Sequence, residues 1–247
     1  MHGCMATTTT MRTTMTEFRD IYADVDHARA YDQLVQCEDY QGNLGRYIRV
    51  NADLSRARVL DMGSGTGRVA ALMADACQSL TICDRATAML AVARERLPAH
   101  VRIDVADNTA LPYGDGSFDV VTAGWSFGHA TEWLPDIWQT NVRAAVGEML
   151  RVLVPGGIAI IFETLGSGVV HPAPPTDNLR ACYAIFEDEY GFARTALATD
   201  YQFESAAEAA RLTAFFFGVA MDSTVQPDGR AIVPEWTGAW QVRRARV

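Results

Sequence analysis

Val59-Leu60-Asp61-Met62-Gly63-Ser64-Gly65-Thr66-Gly67-Arg68-Val69-Ala70 places an apolar strand directly before three alternate glycines and an alanine-rich helix. Glycine at 63, 65 and 67 permits positive φ and carries no Cβ to hold a ligand away. The helix that follows directs its first N–H groups and its positive dipole end into the same space, which suits a carboxylate or phosphate. Strand, bend and helix therefore meet at one nucleotide-like ligand.

The residues downstream extend this unit. Val69 to Ala76 predicts a helix, and Ser79-Leu80-Thr81-Ile82-Cys83 a short buried strand ending at Asp84. In a βαβ unit an acid at the end of the second strand can accept hydrogen bonds from both ribose hydroxyls of an adenosine. Asp84 can equally cap the next helix, Ala86 to Leu97, which Pro98 stops. A third strand, Val101 to Val105, leads to Asp107-Asn108. There the carboxylate can face an adenine's exocyclic amine and the Asn108 N–H a ring nitrogen; the competing reading is an Asx turn without a ligand. Phe118 to Ala123 is a buried strand whose end, Gly124-Trp125-Ser126-Phe127-Gly128-His129, lies where open α/β sheets bind ligands. A helix from about Pro135 to Leu153 ends in Arg151-Val152-Leu153-Val154-Pro155-Gly156-Gly157, and Ile158 to Glu163 supplies a fifth strand.

Composition narrows the class. With 247 residues, 49% of them apolar, the chain can bury a full core as a single α/β domain carrying an insertion. A net charge of -9 argues against a nucleic-acid or anionic-membrane partner, because both need a basic face. The five cysteines are scattered without metal-ligand spacing, so no metal is expected, and a reducing, cytoplasmic setting fits them. No apolar run is long enough to span a bilayer. Residues 1–16, rich in threonine, read as a disordered leader, and the state is left as monomer or homodimer.

Asp61-x-Gly-x-Gly-x-Gly67, Asp84 with Arg85 and Met89-Leu90, Asp107-Asn108-x-x-Leu-Pro112, Phe118-Asp-Val-Val121 and Arg151-Val-Leu-Val-Pro-Gly-Gly157 follow one another in order. Together they resemble a class I S-adenosylmethionine-dependent methyltransferase, of the broad type that includes ubiquinone- and menaquinone-biosynthesis enzymes. The resemblance is strong over residues 55–165 and weak in the flanks. It implies a Rossmann-like, mostly parallel, seven-stranded sheet of order 3-2-1-4-5-7-6 with strand 7 antiparallel. It also implies that Asp61 and the loop Gly63, Ser64, Gly65, Thr66 and Gly67 hold the amino-acid end of the cofactor. Asp84 would take the ribose, and Asp107 with Asn108 the adenine, with Arg85 and Met89 packed near the base. S-adenosylmethionine would leave as S-adenosylhomocysteine. A dinucleotide enzyme fits less well, because Arg68 interrupts the Gly-x-Gly-x-x-Gly spacing that cradles a pyrophosphate.

The flanks supply cover and the last strands. Residues 17–54 read as an N-terminal helical cover, with Tyr22 and Tyr31 either over the ligand mouth or docked on the core. Residues 55–164 form the cofactor-binding core. Residues 165–192 form an insertion with Thr176 as helix N-cap; His171, Tyr183 and Phe186 there either close over a substrate or cap the sheet. Residues 193–247 should give a sixth strand over Arg194–Phe203, a helix opened by the capping box Ser205-x-x-Glu208, and a last strand over Glu235–Val242.

A sulfonium methyl is already electrophilic, so the protein mainly aligns a nucleophile and excludes water. Gly124, Trp125, Ser126 and Phe127 are expected to line the cofactor or acceptor pocket. If the acceptor must lose a proton, His129 is the first candidate for a base and His171 the second. The expected reaction is methyl transfer to an O, N or C atom of a small molecule. The alternatives are a nicotinamide-dependent oxidoreductase and a non-catalytic nucleoside binder on the same fold.

Overall fold

A computed structural model describes residues 24–246. The leader, the start of the first helix and Tyr22 lie outside the described residues. Parallel strands β1 (Arg58–Met62), β2 (Ser79–Asp84), β3 (Arg102–Val105), β4 (Phe118–Gly124) and β5 (Leu153–Ser167) form most of one sheet. Two more strands, β6 (Ala193–Ala198) and β10 (Glu235–Arg243), complete it in the order β3-β2-β1-β4-β5-β10-β6, with β10 antiparallel to both neighbours. This is the order the family resemblance implies, with β10 in the place of strand 7.

Alternation along the strands builds a core on each face. Leu60, Met62, Val121, Ala123 and Ile161 meet Val142, Val146 and Met149 of helix α6 (Trp138–Val152). On the other face Val59, Ile82, Val120, Ile160 and Phe162 meet helices α2 (Asn43–Asn51), α3 (Arg68–Ala71) and α4 (Thr87–Arg96). Helix α1 (Val25–Gln36) is capped by Asp24, which accepts from the Asp26 and His27 N–H groups. It packs on α4, and Arg29–Glu95 and Arg96–Asp32 ion pairs join the two. Arg151 of the Arg-Val-Leu-Val-Pro-Gly-Gly motif pairs with Glu148 and Asp115 and donates to the Leu111 and Tyr113 carbonyls. It thereby fixes the loop that enters β4.

Several elements differ from the sequence reading. The helix expected over residues 69–76 has only four residues before the chain turns, so its dipole gives a ligand little. The strand expected over Arg194–Phe203 breaks at Thr199-Asp200. There Thr199 hydrogen-bonds Thr237 through its hydroxyl, at 2.7 Å, and Asp200 accepts the Glu235 N–H. The piece beyond the break, β7 (Tyr201–Phe203), leaves the main sheet and pairs with β9 (Ala231–Val233), which also pairs with β8 (Thr224–Val225). Helix α8 (Ala206–Phe217) packs on this small sheet and on α1. Ser205 caps α8, and Glu208 reaches back to the Glu204 N–H rather than to that of Ser205.

In the insertion, Thr176 caps helix α7 (Asp177–Ala184), which one π-helical turn, Ile185–Glu189, continues. Cys182, Tyr183 and Phe186 on its inner face are buried with Trp240 in the main core. No helix among the described residues is long and apolar enough to cross a membrane.

Candidate active site

The carboxyl ends of β1, β2 and β4 open on a cavity of about 530 Å³. Asp61, Gly63, Ser64, Gly65, Thr66, Asp84, Asn108 and Thr109 give it polar lining. Phe127, Ala130, Trp133, Leu134, Val142 and Ala145 give it apolar lining, from the loop after β4, helix α5 (Ala130–Trp133) and α6. Tyr31, Arg68, Arg85, Asp107, Gly124, Trp125, Ser126 and His129 also line it.

Two glycines of the turn have different reasons to be glycine. Gly63, at φ +60°, lies where a Cβ would come 1.8 Å from Ser126 Oγ and 2.7 Å from Asn108 Nδ2. The loops after β3 and β4 close on it, and the Asn108 amide donates to the Ser126 hydroxyl at 2.8 Å. Gly65, at φ +54°, has nothing within 4 Å of its would-be Cβ, so its bare face is left for a ligand.

Asp84 serves the turn itself. One carboxylate oxygen accepts the Gly65 N–H at 2.9 Å and the other the Ala86 N–H at 2.8 Å. A carboxylate has about four acceptor sites, so capacity for two hydroxyls remains. Burial pushes its pKa up, and these backbone bonds oppose the rise.

Asp61 is buried and accepts the Thr122 hydroxyl at 2.7 Å, while burial pushes its pKa up to about 7. Its Oδ2, together with Ser64 Oγ, Thr66 Oγ1 and Asn108 Oδ1, is buried without a hydrogen-bond partner among the described residues. Buried polar atoms normally have partners. Four on the wall of one cavity fit a polar ligand with both donors and acceptors, as an amino acid joined to a nucleoside is.

Asp107 lines the cavity and also forms the Asx turn, accepting the Thr109 N–H at 2.9 Å and hydroxyl at 2.7 Å. Gly67 and Met89 do not line the cavity. Gly67 backs onto Leu97, and Met89 is buried with Ala28 and Val92 between α1 and α4. His171 is exposed in the loop after β5, and Tyr183 donates to the Thr164 carbonyl at 2.8 Å inside the core. His129 lies parallel to Trp133, with ring centroids 4.7 Å apart, and burial lowers its pKa to about 4.

Two elements of the site escape a reading by motif. Glu163, at the end of the apolar run in β5, accepts the Phe127 and Gly128 N–H groups, each at 2.9 Å, and so shapes the loop after β4. A lone acid closing a buried strand is the signal that marks it. Arg68 pairs with Glu38, and its guanidinium carbon lies 3.3 Å from the centroid of the Trp125 ring. Trp125 holds φ at +48°, a region that non-glycine residues seldom adopt.

Comparison with known proteins follows the same lines. A family model described as a methyltransferase domain matches residues 60–161. A demethylmenaquinone methyltransferase of Thermus thermophilus is 31% identical over 168 residues, covering 64% of this chain and 69% of that protein. The chain belongs to the class I S-adenosylmethionine-dependent methyltransferases. The ubiquinone/menaquinone biosynthesis C-methyltransferase of Rubrivivax gelatinosus is 35% identical over 48% of this chain and 43% of that one. A demethylmenaquinone methyltransferase of Clavibacter sepedonicus is 32% identical over 56% and 51%. The methyltransferase thus spans about half the length of two of these three relatives. Among solved structures, YcgJ of Bacillus subtilis has a TM-score of 0.55 at 18% identity, covering 84% of this chain and all of that one. A phosphoethanolamine N-methyltransferase of Haemonchus contortus has a TM-score of 0.58 at 16% identity, over 93% and 61%. Both are likenesses of fold. Family membership sets aside the nicotinamide alternative for this methyltransferase.

Proposed function

We propose that this methyltransferase transfers a methyl group from S-adenosylmethionine to a small acceptor with a quinone-type ring. The observation that carries the reading is the apolar lining from Phe127, Trp133, Leu134 and Val142 beside the polar lining at the strand ends. A flat, largely apolar ring gains from burial there, whereas a sugar or phosphate would not. The relatives named for demethylmenaquinone point the same way. A net charge of -9 disfavours a polynucleotide.

When bound, the cofactor supplies a sulfonium methyl that is already electrophilic. In this reading Asp61 and the turn Gly63–Thr66 hold its amino-acid end, Asp84 the ribose, and Asp107 with Asn108 the base. Arg85, Gly124 and Trp125 border it, and Ser126 and Phe127 face the acceptor. Tyr31, whose ring lies 5.3 Å from Phe216, lines the cavity. His129 stays neutral throughout the physiological range. Taking a proton from an ordinary phenol would be uphill for it by roughly 8 kcal/mol. We assign it to the wall beside Trp133 rather than to proton removal.

The test is turnover. Incubation with S-adenosylmethionine and a reduced naphthoquinone should release S-adenosylhomocysteine, and a folded RNA or a simple amine should not. Tight cofactor binding with no turnover on any hydroquinone would refute the acceptor class. Asp61 gives a separate prediction. Its carboxylate must be ionised to hold an ammonium group, and its unliganded pKa is about 7. Affinity for S-adenosylhomocysteine should therefore rise about tenfold from pH 6 to pH 8, with proton release on binding near pH 6. Calorimetry on the wild type and on Asp61→Asn checks this, since the variant should bind weakly and with a flat pH dependence.

A further inference from the structure

The wall formed by Tyr31, Arg68 and Trp125 is backed by buried charge that the cofactor assignments leave unused. The Arg68 side chain is 13% exposed, and that of its partner Glu38 is 1% exposed. Glu38 lies near enough to Glu235 to hinder its ionisation, and the Tyr201 hydroxyl favours the ionised form of Glu38. Thr164 donates to Glu235 Oε1, while Glu235 Oε2 and Glu38 Oε1 are buried without partners among the described residues. Burial and the Glu38 charge push the Glu235 carboxyl up, to about 8, while Arg68 and Glu38 form an ion pair.

A guanidinium has five N–H donors in a rigid fork and binds oxygen anions through its edges. Among the described residues Nη1 of Arg68 is on Glu38, and the flat face of the group is on Trp125. Arg68 nevertheless lines the cavity. A cationic acceptor would find the face of Trp125 already taken. An oxygen anion could take a donor that Glu38 leaves open, and the charge of Glu38 itself is offset by the same arginine.

We propose that Arg68 is the acceptor-recognition residue, donating to an ionised oxygen of the methyl acceptor while Glu38 and Trp125 hold the guanidinium in place. The proposal rests on the methyltransferase reading above and narrows it to acceptors with an acidic hydroxyl or equivalent oxygen, in preference to amines.

The test uses the full chain saturated with S-adenosylhomocysteine and two calorimetric probes. One is 2-hydroxy-1,4-naphthoquinone, ionised at neutral pH, and the other its 2-methoxy counterpart, which cannot ionise. Wild type should prefer the hydroxy probe by roughly tenfold or more, the usual gain from a hydrogen bond to a charged group. Arg68→Gln should bind both probes alike, Arg68→Lys should keep part of the preference, and affinity for S-adenosylhomocysteine should hold in all three. If Arg68→Gln unfolds because Glu38 loses its partner, the double variant with Glu38→Gln removes both charges and should show the same loss of preference. An unchanged preference in these variants overturns the proposal. So does a loss confined to S-adenosylhomocysteine affinity, which would place Arg68 at the cofactor. A wild type that binds neither naphthoquinone sinks the quinone-ring reading instead. Hexanoate and hexanamide then decide the oxyanion question, and no Arg68-dependent preference between them overturns it.

Discussion

Gly63→Ala is expected to abolish S-adenosylhomocysteine binding and to lower stability by about 2–4 kcal/mol. The new methyl would stand 1.8 Å from Ser126 Oγ and 2.7 Å from Asn108 Nδ2, so both loops must retreat and their mutual hydrogen bond must break. Positive φ adds strain at the same residue. Gly65→Ala is the control, because it shares the positive φ but has nothing within 4 Å of its Cβ. It should lose roughly 1 kcal/mol of stability to backbone strain yet still bind poorly, because the added carbon enters ligand space. Urea melts with calorimetry on both variants separate the two effects. A Gly63→Ala protein that binds like wild type would show that the loops do not meet at this glycine.

Asp84→Ala should weaken S-adenosylhomocysteine binding by about 100-fold, the loss expected when hydrogen bonds to a buried charge are removed. The effect has two parts, because the carboxylate also holds the Gly65 and Ala86 N–H groups. Asp84→Asn keeps one acceptor oxygen and should fall between wild type and alanine. Stability measured without ligand isolates the part due to the turn. Wild-type affinity in Asp84→Ala would refute the ribose assignment.

The sheet was legible because its signals are local. The glycine turn, Asp84, Asp107-Asn108 and the Pro155-Gly156-Gly157 step each fall within a few residues of a strand end. The small sheet was not, because strands of three, two and three residues are too short to show a period. The alternation from Arg194 to Phe203 runs through the break at Thr199-Asp200, which only the pairing of those residues with Thr237 and Glu235 reveals. Met89, Tyr183 and Phe186 lie on apolar helical stripes, and a stripe reads the same whether it faces a ligand or a core. The Glu38–Arg68 pair joins residues far apart in the chain, so no spacing announces it.

The contact among Gly63, Asn108 and Ser126 ties the ends of β1, β3 and β4 to one point. In the proposed reading these loops face different parts of the bound pair of reactants, and the contact couples their movements. Attempts to retarget the enzyme by rebuilding residues 125–129 would therefore change its working concentration of methyl donor as well. Selection for a new acceptor that leaves donor affinity untouched would have to act on the far side of the cavity, among the apolar side chains of α5 and α6.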